Sequence, residues 1–128
     1  MVGIVLVSHS AALAGGLAEI VGQVAGEEVR VESAGGSSDG RLGTSGDRVE
    51  AALRRADTGA GVVVLVDLGS SVLVVRHILE GLGANGMVRM VDAPMVEGAI
   101  AAAVVASGGA SVAEVAAAAE SARNASKF

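Results

Sequence analysis

Few residues of this chain can do covalent chemistry: it holds two histidines, no cysteine, no tryptophan and no tyrosine. Without cysteine there are no disulfides, no thiol catalysis and no cysteine-ligated zinc. His9 stands in Ser8-His9-Ser10, directly after the apolar run Val2–Val7. A neutral imidazole is a good nucleophile near neutral pH, and its charge state is easily tuned. Phosphorus bonded to an imidazole nitrogen stays labile, whereas a serine ester would trap the group. Histidine therefore suits a carrier that both receives and releases phosphate. The same position also suits a histidine that merely hydrogen-bonds near a helix start.

The second group of interest is Asp67-Leu68-Gly69-Ser70-Ser71, which follows the run Gly61–Val66. A carboxylate that accepts from one ring nitrogen fixes the tautomer and leaves the other nitrogen free to attack. Without His9 beside it, Asp67 would be an ordinary turn residue. Gly69, Ser70 and Ser71 lead into a helix, as Ser10 does after His9, and backbone N–H groups at such a start suit an anionic phosphate. Phosphoryl transfer is mainly positioning and charge stabilisation, so such donors are what it needs. These residues are equally good helix caps, and no Gly-Lys-Ser/Thr phosphate-loop pattern occurs.

Gly43, Thr44 and Ser45 offer flexible backbone and hydroxyls before the next helix; capping is the first expectation for Thr44 or Ser45, and a lid or partner contact the second. Glu97 opens a later helix, where the dipole favours a negative charge, although its loop is expected to border the site. Asp92 is similarly ambiguous. His77, beside Arg76, is expected on a helix surface or an interface. A metal held by His9, Asp67 and Asp92 has no diagnostic ligand spacing, and none is expected.

Three apolar, β-rich runs position these residues: Val2–Val7, Gly61–Val66 and Met87–Val91, with a shorter alternating segment at Val29–Glu32. Helices are expected between them, over Ala11–Ala25, Asp47–Ala56, Ser71–Leu82 and Glu97–Ala106, with a last one over Ser111–Asn124. The first should bury Leu13, Leu17, Ile20, Val21 and Val24. The fourth, almost all small and apolar, should pack on two sides, and Ser111 with Glu114 reads as a capping box. Strand and helix alternate, which implies an α/β fold with parallel strands and helices on both faces. Ligands of such sheets bind at the carboxyl ends of the strands, where the strand order reverses. The loops carrying His9, Asp67 and Asp92 should therefore share one edge. The segment Gly35–Gly46 is the one long irregular stretch, and such loops are usually functional or mobile.

The composition agrees with a single domain over residues 1–128, since 52% of the residues are apolar and the one aromatic is Phe128. Val, Leu, Ile and Ala must build the core. A net charge of −5 without a basic cluster speaks against nucleic acid. No signal-peptide pattern and no run long enough to span a bilayer are found, so no membrane role is expected and the cytoplasm is the expected location.

Val7-Ser8-His9-Ser10, Asp67-Leu68-Gly69-Ser70 and Ala93-Pro94-Met95-Val96-Glu97-Gly98, with Gly43-Thr44 in the long loop, together resemble the phosphotransferase subunit of bacterial dihydroxyacetone kinase, the DhaM family. The resemblance covers essentially the whole chain. The wider group is similar to the mannose-type IIA domains of the phosphoenolpyruvate-dependent phosphotransferase system. Its sugar-transport branch typically reads Thr-His-Gly and Asp-Thr-Trp-Gly-Gly-Ser at the first two motifs, and this chain does not. The resemblance implies a three-layer αβα fold around a doubly wound, mainly parallel sheet of about four strands in the order 2-1-3-4. It implies that the phosphocarrier HPr phosphorylates His9, that Asp67 orients the ring, and that the group passes to ADP held by the kinase subunit DhaL, with dihydroxyacetone on DhaK. It also implies a homodimer, with the third helix (Val74, His77, Ile78) as a candidate face, and no tightly bound cofactor beyond phosphate carried on His9. Some relatives carry fused carrier domains. A sugar-transport IIA component, a binding module gated by phosphorylation and a purely structural domain are the alternatives.

Overall fold

The computed structural model describes residues 1–83 and 85–128. Four strands, β1 (Gly3–Ser8), β2 (Val31–Gly35), β3 (Val62–Val66) and β4 (Val88–Met90), form one sheet in the order β2-β1-β3-β4, and every neighbouring pair is parallel. The helices are α1 (Ala11–Ala25), α2 (Gly46–Ala56), α3 (Gly69–Leu82), α4 (Met95–Ser107) and α5 (Val112–Ser121), with a 3-10 turn at Ala122–Asn124. The strand residues divide by their alternation. Val2, Ile4 and Leu6 with Val63 and Leu65 face α1, α4 and α5, while Val5 and Val7 with Val62 and Val64 face α2 and α3. Central strands buried on both faces read as continuous apolar runs for this reason. The fold is the expected three-layer αβα arrangement, in the expected strand order.

Several boundaries move for physical reasons. β2 runs to Gly35 rather than ending at Glu32, because β1 offers it a full register from Ile4↔Val31 to Ser8↔Gly35. Helix α3 begins at Gly69, ahead of the expected Ser71, with the Leu68 carbonyl accepting from the Ser71 and Val72 amides. α1 buries Ala14, Leu17, Val21 and Ala25, so its inward face is turned from the expected one, and Leu13, Ile20 and Val24 stay exposed. The expected interface helix α3 sinks Val75 and Ile78 into the core under the sheet.

Small residues set the closest approaches. In α4, Gly98, Ala99, Ala102, Ala103 and Ala106 are buried. A Cβ at Gly98 would lie 2.9 Å from the Ala93 Cβ and 3.1 Å from Leu65 Cδ2. At Gly35 a Cβ would stand 2.6 Å from both the Ser10 carbonyl oxygen and the Ala11 Cα. That contact lets the end of β2 slide beneath the start of α1, next to His9. Gly35→Ala must push this junction apart. We expect a loss of about 1–3 kcal/mol, read as a lower thermal midpoint; an unchanged midpoint would show that the junction yields freely.

Candidate active site

The chain leaves β1 for β2 on one side and reaches β3 on the other, so the strand order reverses between β1 and β3. His9 follows β1 and Asp67 follows β3, which places both at the switch point. The Asp67 carboxylate bridges the two strand ends. Its Oδ2 accepts from the Ser8 hydroxyl and the His9 amide, each at 2.9 Å. Its Oδ1 accepts from His9 Nδ1 at 3.0 Å, the Leu68 amide at 2.7 Å and the Ser71 hydroxyl at 3.0 Å. Burial disfavours the charged carboxylate, yet the His9 amide, the Ser8 hydroxyl, the His9 ring and the Leu68 amide outweigh it and hold Asp67 down to about 2 from its ordinary 3.8.

An ionised Asp67 accepts only, so the neutral His9 ring carries its proton on Nδ1 and presents a lone pair at Nε2. The side chain of His9 is 24% exposed against 11% for Asp67, so the brace is covered while the ring reaches the rim. Ser70 Oγ hydrogen-bonds Nε2. Its hydroxyl covers the outward lone pair of the ring. Beside it, the Gly69 and Ser70 amides at the start of α3 have no acceptor among the described residues. Free amides at a helix start are anion donors.

The remaining sequence candidates separate. Ser71 is fully buried behind the ring, bonded to Asp67 and to Thr44 Oγ1 at 2.7 Å, so its side chain braces the carboxylate instead of facing a phosphate. Ser10 caps α1, its hydroxyl accepting from the Leu13 amide and its own amide donating to Ser8 Oγ. Gly43 donates its amide to the His9 carbonyl at 2.9 Å, which fastens the long loop to the site. The capping role before α2 falls to Ser45 alone, and Thr44 turns toward Ser71. Glu97 sits in the first turn of α4 and makes no hydrogen bond to His9 or Asp67 among the described residues. The third loop shares this edge and lines one cavity with the second, Asp92 and Ala93 facing Asp67, Leu68 and Gly69 across it, while the Asp92 side chain is exposed and paired with Arg123 at 3.4 Å. His77 is exposed on α3. Sequence reasoning missed Ser8 as a brace, although its place between an apolar run and His9 was a usable signal. Leu42 and Leu68, next in the chain to Gly43 and Asp67, are exposed.

This arrangement presents a histidine ring oriented by an aspartate and set beside free amide donors. The sequence model of the PTS system fructose IIA component family (EIIA-man) matches residues 3–116, and the chain belongs to that family. Within it, the chain is 37% identical over 106 residues to the phosphoryl donor subunit DhaM of PEP-dependent dihydroxyacetone kinase 2 from Listeria innocua, covering 81% of this chain and 85% of that one. It is 32% identical to the DhaM phosphotransferase subunit of PTS-dependent dihydroxyacetone kinase from Lactococcus lactis, over 84% of this chain and 85% of that one. The DhaM of Providencia stuartii is 34% identical over 90% of this chain but much longer, so that only 25% of its length is matched. The crystal structure of an unknown-function protein, EF1359, superposes with a TM-score of 0.83 at 34% identity, covering 100% of this chain and 98% of that one. Among the described residues, no helix is long and apolar enough to cross a membrane.

Because the folded Asp67 titrates below its unfolded value, its contribution to stability is complete above about pH 4 and is lost as the pH falls through about 2. The shift corresponds to about 2 kcal/mol. Asp67→Asn should remove that part of the acid dependence, which urea titrations between pH 2 and 6 would measure. An identical pH dependence in the variant would contradict the brace.

Proposed function

We propose that this chain is a phosphoryl carrier of a dihydroxyacetone kinase system, taking phosphate on His9 Nε2 from phospho-HPr and giving it to ADP held by the kinase subunit DhaL, which serves dihydroxyacetone on DhaK. The observation that carries this reading is the 3.0 Å contact between His9 Nδ1 and Asp67 Oδ1, which leaves Nε2 as the nucleophile at the rim. The lone pair of Nε2 forms the new N–P bond while the donor's P–N bond breaks, and its electron pair stays with the donor imidazole. The positive charge gained by the His9 ring faces the Asp67 carboxylate through Nδ1–H. Ser70 swings away from Nε2, and the Gly69 and Ser70 amides receive the phosphoryl oxygens. In the second half the terminal phosphate oxygen of ADP attacks the same phosphorus, and the ring regains its lone pair. On this reading the chain binds no cofactor tightly and carries the phosphate covalently on His9, in the cytoplasm with its carrier partners.

Incubation with phosphoenolpyruvate, Enzyme I and HPr should give an acid-labile, base-stable label that is lost in His9→Gln and leaves for ADP when DhaL is added. Labelling that survives His9→Gln would overturn the site. A label that stays in the presence of ADP-loaded DhaL would favour the sugar-transport or gated-binding alternatives. Asp67→Asn should slow transfer by up to about 10⁴-fold, since the wrong tautomer then becomes accessible.

We also propose a homodimer. Its support is the resemblance to DhaM together with the exposed stripe Leu13, Ile20 and Val24 on α1, beside exposed Val96 and Val104 on the adjoining α4. Light scattering should give twice the chain mass for the parent and the single mass for Ile20→Glu. A parent that elutes with the single mass refutes the dimer.

A further inference from the structure

The sheet order puts β3 and its aspartate on one side of β1 and β2 on the other. On the β2 side a cavity of about 270 Å³ lies between the end of β2, the start of α1 and one face of α2. Ala11, Ala34, Gly35 and Ala51 line it, and the cavity exists because these side chains are too small to fill it. Arg48 and Arg55 complete the lining. The two are close to two full turns apart on α2, so they share one face of that helix.

Hydrogen-bond donors collect here. β2 is an edge strand, and alternate residues carry its bonds to β1: the Arg30 carbonyl accepts from the Ile4 amide, and the Gly36 amide donates to the Ser8 carbonyl. Glu32 and Ala34 are in step with these, so the amides of Ser33 and Gly35 point outward to the open edge. Arg48 Nη1 donates to the outward Gly35 carbonyl at 3.0 Å, which uses one of the five N–H groups of a guanidinium. Arg41, Arg54, Arg55 and Arg123 pair with carboxylates, whereas Arg48 has no such partner among the described residues. Arg55 gives its Nε to Glu32 at 3.0 Å, and that carboxylate offsets its charge. The lining thus keeps the net positive charge of Arg48.

Two kinds of ligand use an open strand edge with arginines beside it. An added peptide strand needs the outward carbonyls as acceptors, and Arg48 already occupies that of Gly35. An oxyanion needs donors only. The volume lies below the roughly 300–1,000 Å³ of pockets that hold drug-sized molecules, so the ligand is small. Donors arriving from a helix on one side and a strand edge on the other suit a tetrahedral phosphate. A flat carboxylate is satisfied by a single guanidinium fork. We propose that this cavity is an oxyanion site, apart from His9, which binds a phosphate group through Arg48, Arg55 and the edge amides of Ser33 and Gly35. The phosphate is either free or carried on an ester of a few carbon atoms.

Amide NMR of the full chain tests this without a phosphoryl donor. The probes are sodium phosphate and dihydroxyacetone phosphate, each titrated against sodium chloride and sodium acetate at equal ionic strength. The Ser33, Gly35 and Ala51 amides should shift and saturate with a phosphate probe and with neither control. Saturation by the ester alone assigns the site to an ester, by inorganic phosphate alone to the free ion, and by both to the phosphate group itself. Arg48→Gln should weaken binding about tenfold or more, the worth of a hydrogen bond to a charged group. Ala51→Leu, which fills the cavity and keeps both arginines, should abolish it. The proposal is overturned by the absence of a saturable shift in the parent, by equal shifts with chloride or acetate, or by unchanged affinity in either folded variant. Shifts confined to Gly69 and Ser70 would place the phosphate at the start of α3 and overturn it too. The carrier reading is decided separately, by the label on His9.

Discussion

One carboxylate holds this site together. Asp67 accepts five hydrogen bonds, two at Oδ2 and three at Oδ1, from donors on the ends of two neighbouring strands and the first turn of a helix. No rotation of the carboxylate keeps them all. The orientation of the His9 ring follows, because its Nδ1 is one of those five donors and its backbone amide is another. Preorganisation of this kind is completed during folding, so little reordering remains when a reacting partner arrives.

The fold supplies that carboxylate with its donors at little cost elsewhere. Parallel strands lie about 4.8 Å apart, so an aspartate just beyond β3 reaches the amide and hydroxyl groups just beyond β1. Only two polar residues are buried among those described, Ser8 and Ser71, and both donate to Asp67. No buried side-chain nitrogen or oxygen among the described residues lacks a partner. Elsewhere the interior is Val, Leu, Ile and Ala, which carry no side-chain polar atoms to satisfy. The polar interior of the protein and its candidate site are thus the same structure.

What the amino-acid sequence disclosed follows from the range of each interaction. Buried central strands announce themselves as apolar runs, so β1 and β3 were legible, and with them the positions of His9 and Asp67. The far half of β2, Ser33-Ala34-Gly35, carries no such signal, because it is held by pairing to β1 and not by its own pattern. The inward face of α1 shifted because Ala14 and Ala25, small enough to sit against the sheet, displaced Leu13, Ile20 and Val24 outward. Asp92 pairs with Arg123, a partner 31 residues along the chain that no local reading connects to it. Hydroxyl roles were the least legible. Ser70 and Ser71 differ by one step, about 100° around a helix, and that angle sends one side chain to Nε2 and the other behind the ring.

On the proposed reading, the donors facing Nε2 also suit a group that must leave again. None of the hydrogen bonds or ion pairs made by His9, Asp67, Ser70 or Ser71 among the described residues involves an arginine or a lysine. A fixed guanidinium would bind the phosphorylated state tightly, and a group bound more strongly in the intermediate than in the transition state is transferred more slowly. Neutral amides and one rotatable hydroxyl give weaker contacts than a charged pair would. In a chain of net charge −5, an anion on the rim also meets an unfavourable long-range field. On this reading, both effects raise the free energy of the phosphorylated intermediate. On the proposed reading, further cationic stabilisation of the moving phosphoryl comes from Arg76, which lines a cavity with Asp67 and Gly69, or from the docked partner.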